Sequence, residues 1–315
     1  MQFVPEESRP RTPVPATPAT PPPTARPRPV VDLDIGGETV ASGDHGEGIR
    51  PRPRPRLPVV RVDGVPLHAV DEAGAIAHVM DALAAGRGGL MVTHNLDHIR
   101  RLGLDPEFRA ICDRAELRVA DGMPLVWAAA LRGTPLPARV AGSSLMEPMA
   151  AAAAAAGRSV YLLGGSPGTA EAAAEELRRR HPSLRVAGVE CPPMGFDADP
   201  AAMAALEARL AASGADLVFV ALGSPKQERI ADALAHALPR AWWIGVGISF
   251  SFLCGDIVRA PRWMQRTGLE WVHRLAQEPR RLARRYLIDG IPYAIRLLGR
   301  SALERGRRSR AAEAG

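Results

Sequence analysis

Cysteine is almost missing from this 315-residue chain: Cys112, Cys191 and Cys254 are its only three. Their number is odd and their spacing wide, with no CxxC and no Cys/His metal spacing. That pattern argues for reduced thiols and against a disulfide or zinc scaffold. Lysine is scarcer still, and Lys226 is the single one in the chain. No apolar run reaches the roughly 20 residues that a membrane span requires; the longest, Ala241 to Cys254, is too short. The N-terminus, MQFVPEESRP, lacks the apolar stretch of a secretion signal. The expected location is therefore cytoplasmic, with a membrane surface still open to the chain. A complete GxGxxG followed by an acidic residue is also missing, which argues against a nicotinamide-dependent enzyme.

What is present is unevenly spread. Residues 1–56 carry 8 Arg against 7 acids, residues 57–258 carry 18 basic against 22 acidic groups, and residues 259–315 carry 14 Arg against 5 acids. The overall charge of +6 thus belongs to the C-terminal segment. Residues 1–58 hold 14 of the 30 prolines, in runs such as TPATPPPTARPRP. Such a segment buries too little apolar area to offset chain entropy and reads as a disordered or polyproline-like tail. Composition favours a plain flexible tail over an SH3-type ligand or a tether to an anionic surface.

Order begins near Val59. VVRVDGVPLHAV reads as a hairpin turning at Asp63-Gly64, and DEAGAIAHVMDALAAG as a helix. From there short apolar runs at 89–93, 117–120, 159–163, 184–189, 217–221 and 242–246 alternate with helical stretches. This alternation predicts an α/β fold, a doubly wound, mostly parallel Rossmann-like sheet of about six strands. Three parts follow: a tail over 1–58, an α/β core over 59–258 and an arginine-rich helical appendage over 259–315.

Ligands of such sheets bind where strands end, so the polar strand ends are the candidate site. Thr93, His94 and Asn95 close one strand, and Asp121-Gly122 closes the next. A carboxylate at Asp121 suits a general base, a ribose binder or an N-cap of the following helix. His94 beside Thr and Asn reads better as a packed residue than as a catalyst. The loop LLGGSPG, with Gly164 and Gly165, offers backbone N–H groups and a helix start to a phosphate, although any tight strand–helix turn uses such glycines. In the loop ALGSPKQE, Lys226 suits a phosphate and Gln227 a sugar or base, or both sit on a solvated helix start. The core is read as lacking an Asp-x-Asp metal motif. In the appendage Trp263, Met264, Leu269, Trp271, Val272 and Leu275 recur at helical spacing among arginines, which suits an anionic bilayer surface or a diphosphate. Nucleic acid is not expected, since no strand combines aromatic and basic residues. Arg274, Arg281 and Arg284 would share one helix face only if Pro279 did not break the helix, and a break is expected there.

Seven stretches together resemble the WecG/TagA/CpsF family of bacterial glycosyltransferases (glycosyltransferase family 26). They are THN at 93–95, ADGMPLVW at 120–127, RVAGS at 139–143, VYLLGG at 160–165, LGSPKQE at 222–228, GVG at 245–247, and RAPRWMQRTGLEWVHRLAQEPRRLARRYL at 259–287. The resemblance implies an inverting, metal-independent enzyme without a cofactor. It would move a sugar (N-acetylmannosamine-type or hexose) from a UDP-sugar to a polyprenyl-diphosphate-linked sugar at the inner face of the plasma membrane, for cell-wall or extracellular polysaccharide. It casts Asp121 as general base, Thr93 and Asn95 as walls of the same pocket, and Gln227 and Arg139 as substrate contacts. Arg274, Arg281 and Arg284 would close over the site and meet diphosphate, on an appendage linked to membrane contact and self-association. One departure stands out: the family commonly reads GVGxxFDFLAG, whereas GVGISFSFLCG here puts Ser251 at the usual aspartate. A non-catalytic, membrane-associated nucleotide-binding scaffold is the competing reading that this serine favours.

Overall fold

Two cores separated by a sheet follow from how the strands are written. In a parallel sheet covered on both sides, every strand residue is buried and alternate side chains enter opposite layers. Leu90 and Val92, Val218 and Val220, Tyr161 and Leu163 pack into one layer with Trp243. Met91, Leu217 and Phe219, Val160 and Leu162, Trp242 and Ile244 fill the other. The computed structural model describes the backbone of residues 57–313 and the side chains of 57–305. The proline-rich tail, but for its last two residues, lies outside the described residues.

In chain order the elements are β1 (Val59–Val62), β2 (Val65–His68), α1 (Glu72–Ala84), β3 (Gly89–His94), α2 (Leu96–Leu102), α3 (Pro106–Arg114), β4 (Leu117–Ala120) and α4 (Met123–Leu131). Next come α5 (Gly142–Ala155), β5 (Ser159–Gly164), α6 (Thr169–Arg180), β6 (Arg185–Glu190), α7 (Pro200–Ser213), β7 (Leu217–Ala221), α8 (Lys226–Leu234) and β8 (Trp242–Gly245). The chain then runs through α9 (Ser249–Cys254), α10 (Arg262–Thr267), α11 (Glu270–Gln277) and α12 (Pro279–Ala283), a π-helical stretch (Arg284–Gly290), and α13 (Ile291–Glu313). The six expected strands form one sheet in the order β4-β3-β8-β7-β5-β6, every pair parallel. The hairpin β1–β2 stands beside it, and the edge N–H of Arg118 on β4 donates to His68 Nδ1 at 2.9 Å. A side chain thereby satisfies a backbone group that a sheet edge leaves open.

Local signals place the helix starts. Asp71, Asn95, Asp105 and Asp199 each accept a backbone N–H at the head of α1, α2, α3 and α7, an arrangement worth about 1 kcal/mol apiece. Two expectations shift. Lys226, Gln227 and Glu228 form the first turn of α8 rather than a loop, because the chain turns through Pro225 directly into helix. Asp121 is not the helix cap: Gly122 holds the N-cap position of α4 at φ 145°, with no side chain capping it. The helix breaks as expected, α11 ending at Gln277 and α12 opening with Pro279. The appendage returns to the core at its far end. Leu297 of α13 is buried in the first core layer, and Tyr293 Oη donates to Asp63 Oδ2 at 2.7 Å.

One close approach fixes the centre of the site. A Cβ on Gly142, the first residue of α5, would sit 2.6 Å from the carbonyl oxygen of Gly245 and 3.4 Å from Thr93 Oγ1. Backbone atoms cannot step aside as a flexible side chain can. Gly142→Ala should therefore cost about 1–3 kcal/mol of stability, the typical penalty of overpacking. Urea unfolding checks this, and an unchanged midpoint would show that α5 moves freely against β8.

Candidate active site

The carboxyl ends of β4, β3, β8, β7 and β5 lie along one edge of the sheet, and the connections leave them in two directions. From β5 the chain crosses to β6 on one side, and from β7 to β8 on the other, so a crevice opens between β5 and β7. The chain from β3 leaves for the β4 edge, whereas β8 feeds α9, which packs on α6 and α5. A second crevice therefore opens between β3 and β8. Thr93, Asn95 and Asp121 stand at this second crevice, and Gly164 and Gly165 at the first.

Asp121 follows the last residue of β4, its N–H donating to the carbonyl of His94 at 2.6 Å. Its carboxylate makes no hydrogen bond or ion pair with any described residue, and it is half-buried. Burial raises its pKa to about 6; Arg139 opposes the rise, Glu270 adds to it, and Arg274 and Arg259 also pull it down. Such a group is ionised at neutral pH yet basic enough to take a proton. Thr93 is buried beside Gly142. Asn95 uses its Oδ1 to cap α2, accepting from His98 N at 3.1 Å, and its Cα lies 3.9 Å from a Cβ built on Gly122. His94 points the other way. It is fully buried edge-to-face against His98 at 5.9 Å, with neither ring nitrogen bonded. Burial lowers its pKa to about 3, with Arg118 assisting, so it stays neutral and packed.

Gln227 closes the crevice from the β8 side. It is buried; its Nε2 donates to Glu228 Oε1 at 2.7 Å and its Oε1 accepts from Gly247 N at 3.2 Å. A Cβ on Gly245 would collide with the Gln227 amide. The GVG stretch thus serves here as room for Gln227. Gly165 N donates to Ala221 O at 2.8 Å, and a Cβ on Gly164 would meet that same carbonyl oxygen at 2.8 Å. These two glycines join β5 to β7 by close backbone contact.

A layer of charge covers Asp121. Arg139 Nη1 donates to Glu270 Oε2 at 2.8 Å, and Arg259 Nε lies 3.4 Å from Glu270 Oε1. Arg259 also donates to Ser144 Oγ at 2.7 Å and to Ser143 Oγ at 3.3 Å. Glu270 and Arg274 sit on α11, so the appendage lies directly over the site, and Gly268 packs against Met123 and Trp127 of α4. Asp97 reaches Arg285 at 3.4 Å and Arg100 reaches Asp289 at 3.9 Å, holding the π-helical stretch onto α2.

Other expected contacts stand apart. Arg281 is exposed and paired with Glu278, Arg284 is exposed, and no contact ties either to Asp121. The break at Pro279 is what separates them from Arg274. Lys226 Nζ binds Asp197 Oδ1 at 2.6 Å and lies 4.7 Å from the centre of the Phe196 ring. The reading of a core without Asp-x-Asp needs amending, since Asp197-Ala198-Asp199 has that spacing. Its carboxylates are otherwise engaged, Asp197 with Lys226 and Asp199 as the cap of α7. Glu270 and Arg259 escaped the sequence reading. The one available signal was that Glu270 is among only five acids in a segment with 14 Arg.

Asp121 at a strand end of a parallel α/β sheet, with Arg139, Arg259 and Arg274 charged around it, makes up the candidate site. The family model for glycosyl transferase WecG/TagA/CpsF matches residues 60–308, and the chain belongs to this family. It is thus a glycosyltransferase by family. Among the described residues no helix is long and apolar enough to cross a membrane.

Two outcomes follow from the geometry. Asn95→Asp keeps an oxygen for the α2 cap but removes the amide donor; Asn95→Ala loses both. Only the alanine variant should lose about 1 kcal/mol of stability, and equal losses by thermal unfolding would show that the amide, not the cap, holds the segment. Asp121 is the second case. Its folded pKa of about 6 lies above the ordinary 3.8, so the folded state binds the proton more tightly, and stability falls as pH rises through that window. At pH 7.5 Asp121→Asn should be more stable than the native chain by on the order of 1–2 kcal/mol. The difference should vanish below about pH 4, as urea midpoints at both pH values would show.

Proposed function

We propose that this chain is an inverting glycosyltransferase in which Asp121 is the general base. The observation that carries this reading is the half-buried carboxylate at a strand end, raised to about 6, within the field of Arg139, Arg274 and Arg259. The donor is a UDP-sugar of the hexose or N-acetylmannosamine type, and the acceptor a polyprenyl-diphosphate-linked sugar. The carboxylate takes the proton of the acceptor hydroxyl as that oxygen attacks the anomeric carbon. The new C–O bond forms on the face opposite the departing UDP, whose bond to the sugar breaks in the same displacement. The leaving diphosphate gains charge, which guanidinium groups in a partly buried site stabilise far more than water-exposed ones would. Thr93 and Asn95 line the wall beside the base, and Gln227 faces the donor from the β8 side.

The appendage supports a place at a membrane surface. Trp263, Ile288, Ile295 and Leu303 are exposed on it, as are Arg262, Arg266 and Arg280, a mixture that suits anionic headgroups. Ser251 favours the second reading, a nucleotide-binding scaffold without turnover, because it brings no charge where the family commonly has one. Its carbonyl accepts from Ile257 N at 3.2 Å, a purely local bond.

UDP release from a panel of UDP-sugars, with a polyprenyl-diphosphate-sugar analogue as acceptor, separates the two. Turnover is expected from the native chain, with an acid limb in kcat/KM near pH 6. Asp121→Asn should lower turnover about 10²- to 10⁴-fold while leaving UDP affinity within a few-fold. Full activity of that variant would remove Asp121 as base. Tight UDP binding with no turnover on any donor would favour the scaffold.

A further inference from the structure

Glu270 is an odd residue to find buried. It lies on a strongly basic segment, yet its side chain is only 13 % exposed, and its two oxygens face two different guanidinium groups. Oε2 accepts from Arg139 and Oε1 faces Arg259. Arg259 is in turn anchored by the Ser143 and Ser144 hydroxyls in the first turn of α5, a 14-residue helix whose N-cap, Ala141, offers no side-chain oxygen. Behind them Arg274, on the same helix as Glu270, has a buried Nε that meets no acceptor among the described residues. Besides Glu270, the carboxyls of Asp121 and Glu72 also feel the charges of Arg139 and Arg259. Forked guanidinium groups and a helix start are equally matched to carboxylate and to phosphate oxygens.

We infer that Arg139, Arg259 and the Ser143–Ser144 turn form a diphosphate seat that Glu270 holds as an internal anion until substrate displaces it. The seat itself stands on the contacts above; that its ligand is the diphosphate of a sugar nucleotide rests on the function proposed above. Exchange has a structural consequence, because Glu270 opens α11. A diphosphate entering the seat releases the head of α11 from Arg139 and Arg259, and frees Arg274 to turn its unpaired N–H toward the incoming anion. Glu270 also adds negative charge beside Asp121, and its departure removes that charge as substrate arrives. In the resting chain the same contact keeps two guanidinium groups from pairing with unrelated anions.

The test compares the full chain with Glu270→Gln and Glu270→Asp, using inorganic diphosphate as the probe in calorimetry. Removing an internal competitor raises the competent fraction, so Glu270→Gln should bind about three- to tenfold tighter than native, with Glu270→Asp in between. Hydrogen exchange over residues 262–277 should rise when native protein is loaded with diphosphate, and should already be raised in unloaded Glu270→Gln. Equal or weaker diphosphate binding by Glu270→Gln would overturn the inference and show that Glu270 merely orients the arginines; so would exchange that diphosphate leaves unchanged. UDP provides the separate arm. If UDP binds native protein no tighter than inorganic diphosphate does, the nucleotide reading fails while the seat stands.

Discussion

Burying the sheet on both faces is the constraint from which the rest of the molecule follows. A strand such as β7, LVFVA, has every side chain in a dry layer, so a polar group there would carry an uncompensated desolvation cost. Chemistry is consequently pushed to the carboxyl ends, where strands meet loops and helix starts. The alternation then sorts those ends: Thr93 faces α5 and the crevice, while His94, one residue on, is driven into the opposite layer against His98, which in turn packs on Phe108. The same step of one residue decides that one polar side chain is available and its neighbour is packing.

The site depends on close contacts as much as on charges. Glycine at 142 lets α5 close on β8 and Thr93, and glycine at 245 leaves room for the Gln227 amide. Ser143 and Ser144 meet Arg259, and Arg259 meets Glu270. The result is an electrostatic chain running from the core into the appendage and back to Asp121. Its members oppose one another: burial and Glu270 raise the Asp121 carboxyl, while Arg139, Arg274 and Arg259 lower it. Charge balance of this kind holds the Asp121 carboxyl above its ordinary value, and it makes the appendage an electrostatic component of that carboxyl's surroundings.

Much of this was legible in the sequence. Hydrophobic runs of strand length, interrupted by helical periodicity, gave the six strands, and the turn at Asp63-Gly64 gave the hairpin. The break at Pro279 was visible because proline has no N–H to donate and clashes with the preceding turn. α8 starts a few residues earlier than its sequence suggests, since Lys-Gln-Glu reads equally well as a loop or as a first helical turn. The N-cap alternative for Asp121 is a natural one, because a carboxylate ahead of an apolar run is a common capping signal, but the cap position of α4 falls on Gly122. Asp197 and Asp199 carry Asp-x-Asp spacing, and only contacts show that a lysine and a helix start already occupy them.

By itself, the sequence determined the layering, the parallel sheet and the candidate residues at its edge, because apolar periodicity and turn chemistry act over a few residues. It also carried the family, through motifs each only a few residues long in a fixed order. Which of those residues share a site was decided by tertiary structure alone. Arg139 and Glu270 stand 131 positions apart and meet at 2.8 Å; Arg281 and Glu270 stand 11 apart, yet no contact joins them. Long-range meeting depends on strand order and on two glycines that admit a close approach, and a local pattern holds no record of either.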